Sequence, residues 1–307
     1  MPSMDIVFTQ ILVILLYVLL GYVAGKCGLI RPEQRKYLTK LCSSLILPCT
    51  ILSAASQTIS GEEMGSLLLV GLLMLAIFAA TTGITLVVLR RRGTARPLTV
   101  TTAGLLTYPN LTFLGLPLCT ALFGEMAILY NAVAMLAFNL LFFTWQLSMF
   151  TGQRFSIKNL MTPPTLATAA LLGMLLLGWH LPAPVQTVVA NTGAMITPLT
   201  LMIIGVMMSE NSILAILRDK RAYLVSLLRN LVLPLLSMLL LRLVPVSAEA
   251  RLCILVYLAC PCATLTSIYA IQDQMEPEFA ARTVLMSTLF FALSLPVMIL
   301  VGGWFLG

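Results

Sequence analysis

The sequence predicts an all-α membrane protein. Ten transmembrane helices would form two inverted five-helix repeats, with the fourth and ninth helices broken. Three observations predict this. The 307 residues are 60% hydrophobic and 9% charged, with a mean hydropathy of +1.02, the balance of a polytopic membrane protein. The basic residues fall almost wholly in alternate loops. Two apolar segments about 150 residues apart carry prolines near their centres, which marks interrupted helices at matching places in two halves.

A span needs about 20 apolar residues. On that ruler the chain divides into ten: 6–25, 37–57, 66–89, 99–122, 126–148, 165–179, 186–208, 222–243, 252–272 and 282–304. The first reads as a span and not a cleaved leader. No basic residue precedes the apolar run at Ile6, and that run continues to Gly25. The sixth is short, with room to begin nearer Met161, and a tight Phe123-Gly124-Glu125 turn joins the fourth to the fifth. Residues 1–148 and 165–307 are the two expected repeats, with 149–164 as a cytoplasmic connection.

Lysine and arginine mark cytoplasmic loops. Lys26, Arg31, Arg35, Lys36 and Lys40 follow the first span, and Arg90, Arg91, Arg92 and Arg96 the third. Arg154 and Lys158 follow the fifth, Arg218, Lys220 and Arg221 the seventh, and Arg282 the ninth. These fifteen face two, Arg242 and Arg251, on the opposite side, with Arg229 left inside the eighth span. The split puts both termini outside and requires an even number of spans. It also accounts for the +7 charge and pI near 9.2 without nucleic acid as a partner.

The break in the fourth span reads Thr107-Tyr108-Pro109-Asn110-Leu111-Thr112-Phe113-Leu114-Gly115-Leu116-Pro117-Leu118. Proline removes a backbone donor and clashes with the preceding turn. In hydrocarbon, freed backbone groups survive only where protein or a watery cavity satisfies them. The ninth span carries Ala259-Cys260-Pro261-Cys262-Ala263-Thr264. Pro109 and Pro261 are 152 residues apart; Pro48-Cys49-Thr50 and Pro198-Leu199-Thr200, in the second and seventh spans, are offset by 150. Five spans per half is an odd number, so the halves must be inverted.

No enzyme constellation appears: no HExxH, GxSxG or spaced aspartate pair. The seven cysteines include no CxxC pair, and His180 is the one histidine, so small packing residues are expected instead of a metal centre. The methionines around Met195, Met202, Met207 and Met208 read as flexible packing. All eleven acids lie at span ends or in loops, Glu125 and Asp273 nearest the broken spans, so no buried carboxylate is set up as a proton relay. Neutral polar residues remain at mid-membrane: Asn110 and Thr112 after the first break, then Cys262, Thr264, Thr266 and Ser267 after the second. Thr50, Ser53, Thr197 and Thr200 are placed to face them.

Each break starts a new half-helix with unpaired N–H groups and a positive dipole end, which holds anions without a lysine. Pro109, Asn110, Thr112, Pro261, Cys262, Ala263, Thr264, Thr50 and Thr200 are therefore the candidate substrate-binding residues. No cofactor is expected. The opposed carbonyl ends of the preceding half-helices offer an alternative place for Na⁺, and coupling to Na⁺ or H⁺ stays open. Asn131, Asn139 and Gln146 share one side of the fifth span, to brace the fourth or line a path. Arg229 either snorkels to the interface or faces the cavity and attracts an anion.

Tyr108 through Pro117 resembles the first crossover motif of the auxin efflux carrier family, which includes plant carriers and bacterial malonate-transporter-like members. Leu45-Ile46-Leu47-Pro48-Cys49-Thr50-Ile51-Leu52 is similar to the family's second helix, and Pro261 through Tyr269 to its second crossover. The resemblance implies a five-plus-five inverted repeat with the fourth and ninth helices crossing at their broken centres, a scaffold, often dimeric, of spans 1, 2, 6 and 7, and a moving domain from the rest. It implies elevator-type secondary transport of a small organic anion across a bacterial cytoplasmic membrane. The family's crossover asparagine maps to Asn110. Plant members have a second asparagine after the second proline, where this chain has Cys262, and their long central loop is reduced here to about 16 residues (149–164). A channel of the same fold and a ligand-binding membrane sensor are the rival readings.

Overall fold

The computed structural model describes residues 4–57, 59–153, 156–210 and 213–306, with side chains left undescribed at 4–7 and 213–215. Arg154, assigned above to a cytoplasmic loop, lies outside the described residues. The described residues are helical, without strands beyond one isolated bridge. In chain order the helices are α1 (Met4–Lys26), α2 (Pro32–Ser56), α3 (Gly61–Arg91), α4 (Arg96–Thr107), α5 (Leu111–Phe123), α6 (Met126–Thr151) and α7 (Pro163–Leu177). They continue with α8 (Ala183–Ser209), α9 (Ile213–Arg218), α10 (Lys220–Leu243), α11 (Ala248–Ala259), α12 (Thr264–Gln272) and α13 (Pro277–Leu306).

Among the described residues, seven helices are long and apolar enough to cross a membrane: α1, α2, α3, α6, α8, α10 and α13. The 15-residue α7 and the two interrupted pairs, α4–α5 and α11–α12, each fall short of that length. The expected breaks are present, at 108–110 and 260–263.

Local chemistry sets the ends. Ser60 and Glu63 form a capping box at α3, Thr162 caps α7, Asp219 caps α10 and Ser247 caps α11, each satisfying amides that a helix start leaves open. Gly124, at φ 70°, takes the left-handed turn between α5 and α6. Three helices widen into a π turn two residues before a proline: Cys42–Ile46 before Pro48, Leu111–Gly115 before Pro117, and Leu228–Val232 before Pro234. The proline ring crowds the carbonyl four residues back, and the turn expands to i→i−5 bonding. The amides of Leu47, Leu116 and Leu233 accordingly donate to Cys42, Leu111 and Leu228. A fourth such turn, Phe142–Gln146, has no proline two residues on.

Packing divides into two groups. α1 lies along α8, and α2 contacts both α8 and α7. Elsewhere α3 packs on α6 and α4, while α13 contacts α10, α11 and α12. The α1–α8 contact is backbone on backbone: a Cβ on Gly21 would sit 2.0 Å from the Met202 oxygen, and one on Gly205 2.0 Å from the Val18 oxygen. Close approach of small residues is how helices associate where lipid supplies no hydrophobic drive. The opposite face of α1 exposes Phe8, Leu12, Leu15, Leu16, Leu19 and Leu20, as a lipid-facing helix does.

Candidate substrate site at the crossed helices

The two breaks meet. Pro109 lies antiparallel to Cys262 as an isolated bridge. The Asn110 amide donates to the Pro261 carbonyl at 2.7 Å, and the Ala263 amide donates to the Tyr108 carbonyl at 2.8 Å. The freed backbone of each arm is thus satisfied by the other, as apolar surroundings demand. The Cys262 amide donates to Ser287 Oγ of α13 at 3.0 Å. Gly115 lets the arms cross, because a Cβ there would press on the Tyr257 ring at 2.9 Å and Cys260 Sγ at 3.1 Å. Tyr108 is fully buried, with the Phe138 and Phe142 ring centroids each 5.0 Å away; this cluster fixes the first arm.

Beside the crossing lies a groove of about 340 Å³, within the range of small-ligand sites. Pro109, Asn110, Thr112, Ala263 and Thr264 line it, together with Ser43 and Ser44 of α2, Asn139 of α6, and the first turn of α7. The other candidates sit elsewhere. Pro261 and Cys262 are buried in the bridge behind the groove wall. Thr50 donates to Ile46 and Gly193 carbonyls, at 3.0 and 2.9 Å, in the α2–α8 contact. Thr200 donates to the Ile196 carbonyl at 2.7 Å inside α8. Neither threonine lines the groove, because its hydroxyl back-bonds to its own helix. A larger depression of about 1010 Å³, among Arg218, Asp219, Lys220, Arg221, Glu278 and Arg282, contains none of the crossover residues.

The two half-helix starts differ. Asn110 caps its own arm, its Oδ1 accepting from the Phe113 amide at 3.1 Å. Its Nδ2 has no partner among the described residues, and the side chain is 94% buried against the groove. The corresponding position before α12 is Ala263, which has no side chain able to cap. The Thr266 amide turns back to the Ala263 carbonyl at 3.1 Å, while the amides of the groove-lining Thr264 and Leu265 and the Thr264 hydroxyl have no partner among the described residues. By helix starts the two arms correspond as Asn110 to Ala263, 153 residues apart; the proline spacing had paired Asn110 with Cys262. Alanine, not Cys262, therefore stands where a second capping asparagine would act.

Asn131 donates to the Leu111 carbonyl at 3.1 Å and Gln146 to the Val100 carbonyl at 3.0 Å, so both brace the fourth-span pair. Asn139 lines the groove and donates to Thr165 at 2.7 Å. Arg229 does not snorkel: it is 2% exposed and donates to the Leu106 carbonyl at 3.1 Å. Its neighbour Asn230, a residue sequence reasoning passed over, donates to the Ala259 carbonyl at 3.1 Å. The signal for both was a polar pair four or five residues ahead of Pro234 inside an apolar span.

An all-helical chain with seven membrane-length helices and two more that break and meet end to end belongs to the class of multi-pass membrane transporters. The family model described as "Membrane transport protein" matches residues 6–159 and 151–299. The chain belongs to that family, the auxin efflux carrier and membrane transport family. Comparison with curated proteins finds no match.

Proposed function

We propose that this transporter carries a small organic anion, a carboxylate such as malonate, bound in the groove beside the crossed breaks. The observation that carries the reading is the uncapped start of α12 facing Asn110. The Thr264 and Leu265 amides, Asn110 Nδ2 and the Thr264 hydroxyl are available donors, and no carboxylate is among the groove's lining residues. Donors at a positive helix end suit an anion and offer a cation little. The carbonyl ends that would coordinate Na⁺ already accept from Arg229 and Asn230, which argues against sodium there.

On this reading the seven long helices, the short α7 and the two interrupted pairs make ten crossings in two inverted halves. The arginine and lysine split supports both termini outside and a location in a bacterial cytoplasmic membrane. The groove is bounded by the first halves of α2 and α7, both of which start beside cytoplasmic basic loops, so the state described is open inward. Gln57, just past the end of α2, donates to Glu125 at the α5–α6 hairpin on the opposite side, which closes the outer mouth. Helices α1, α2, α7 and α8 form the scaffold, paired as a homodimer, and the crossed helices move past it as an elevator.

The test is a thermal-shift screen of carboxylates on purified protein, with and without Na⁺, followed by counterflow in proteoliposomes. A carboxylate that stabilises the protein and exchanges across the membrane is the expected result. Flux without saturation or counterflow would identify a facilitator. Binding without flux would identify a sensor.

A further inference from the structure

The π turn in α10 presents two consecutive buried polar residues to two different helices. Successive helical residues diverge by about 100°, so neighbours can reach separate targets. Arg229 Nη1 donates to the carbonyl of Leu106, in the last turn of α4. Asn230 Nδ2 donates to the carbonyl of Ala259, the last residue of α11. These are the C-terminal ends of the two half-helices that run into the crossing. Such ends carry unpaired carbonyls and a negative partial charge. Arg229 is buried, its Nε and Nη2 have no partner, and among the described residues no carboxylate pairs with it.

We propose that Arg229 and Asn230 are positioning residues for transport: they clamp the carbonyl ends of α4 and α11 at the crossing, and the Arg229 charge makes the adjoining groove selective for anions. Each amide-rich half-helix start at the crossing has a carbonyl-rich end beside it, and left bare those ends would cancel much of the field that attracts an anion. A cation fixed on one of them and an amide on the other remove that opposition. This rests on the anion reading above.

The probes are malonate, monomethyl malonate and dimethyl malonate, of similar shape and carrying two, one and no negative charges. Binding to the purified full-length protein is measured by calorimetry for wild type, Arg229→Gln, Arg229→Lys and Asn230→Ala. Hydrogen exchange is followed at residues 104–108 and 257–260. A single charge about 10 Å away at intermediate dielectric changes affinity on the order of tenfold per ligand charge. Arg229→Gln is expected to weaken the monoester roughly tenfold and malonate roughly a hundredfold, about the square, and to leave the diester unchanged.

Arg229→Lys, which keeps the charge, is expected to hold malonate within about threefold. Asn230→Ala is expected to change all three probes alike and to raise exchange at 257–260. Equal loss for all three probes in Arg229→Gln, or no loss, overturns the charge role. Should that variant not fold, Arg229→Lys decides, since a hundredfold loss of malonate there also overturns it. If wild type binds none of the probes, the carboxylate reading fails by itself and exchange tests the clamp: unchanged exchange in both Arg229→Gln and Asn230→Ala overturns it.

Discussion

Asn110 has two separable jobs, and substitutions distinguish them. Its Oδ1 caps the arm that starts at Leu111, by accepting from Phe113 N–H. Its Nδ2 has no partner among the described residues, and the residue lines the groove. Removing an N-cap costs about 1 kcal/mol of stability. Losing one hydrogen bond to a charged ligand costs about 1.5–3 kcal/mol, which is roughly 10- to 150-fold in affinity. The backbone bond from Asn110 N–H to the Pro261 carbonyl does not depend on the side chain, so the crossing survives substitution. Asn110→Ala should therefore insert and fold with a modest loss of thermal stability, yet lose transport. Asn110→Asp keeps the capping oxygen and places a negative charge against the substrate; it should be as stable as wild type and inactive. Asn110→Ser should recover part of the stability without the affinity. Uptake into proteoliposomes, with insertion checked and unfolding followed by temperature, reads both quantities. Wild-type uptake by Asn110→Ala, at an unchanged KM, would falsify the binding role; inactivity traced to unfolding in all three variants would remove the separation of roles.

Three further outcomes follow from the same geometry. Gly205→Ala pushes a methyl onto the α1 backbone, where a Cβ would stand 2.0 Å from the Val18 oxygen; a loss of about 1–3 kcal/mol is expected, and an unchanged unfolding temperature would contradict the close contact. Glu125→Gln and Asp273→Asn should leave any proton dependence of uptake intact, because neither carboxylate lines the groove; selective loss of that dependence in either would show that a carboxylate couples transport. In a Cys27→Ser background, Ser44→Cys should react with a membrane-impermeant thiol reagent added from the cytoplasmic side, and Thr200→Cys should not, since Ser44 is exposed in the groove and Thr200 is fully buried. Labelling of Ser44→Cys only from outside would reverse the orientation.

The breaks were legible because proline acts on its own chain: Pro109 and Pro261 remove local donors wherever they stand, and the residues around them had to find partners. That the partners are each other came from the family resemblance, since the prolines alone leave either protein or a watery cavity to satisfy the freed groups. The register between the arms was not legible. Proline spacing pairs Pro109 with Pro261, but the helices restart at Leu111 and Thr264, so the bridge sets Pro109 against Cys262. A one-residue difference of this kind decides which side chain caps, and it assigns alanine to the place where an asparagine was sought. Thr50 and Thr200 lie outside the groove, and a hydroxyl that looks available in one dimension turns back in three to the carbonyl four residues earlier.

Arg229 is the opposite case. Read along α10 it looked like a long side chain with an interface to reach, and seven residues of helix separated it from the cytoplasmic end. Its burial depends on Pro234, which opens the turn at 228–232, and on two helix ends brought within reach by contacts from distant parts of the chain. The same proline effect that breaks the fourth span thus widens the helix that supports the break. A chain that interrupts two helices inside a membrane must satisfy both the starts and the ends so created. On the proposed reading the starts are left partly open for the ligand, and at each end one carbonyl accepts a donor from α10. That division leaves free backbone donors at the groove although the fold as a whole creates equal numbers of bare amides and bare carbonyls.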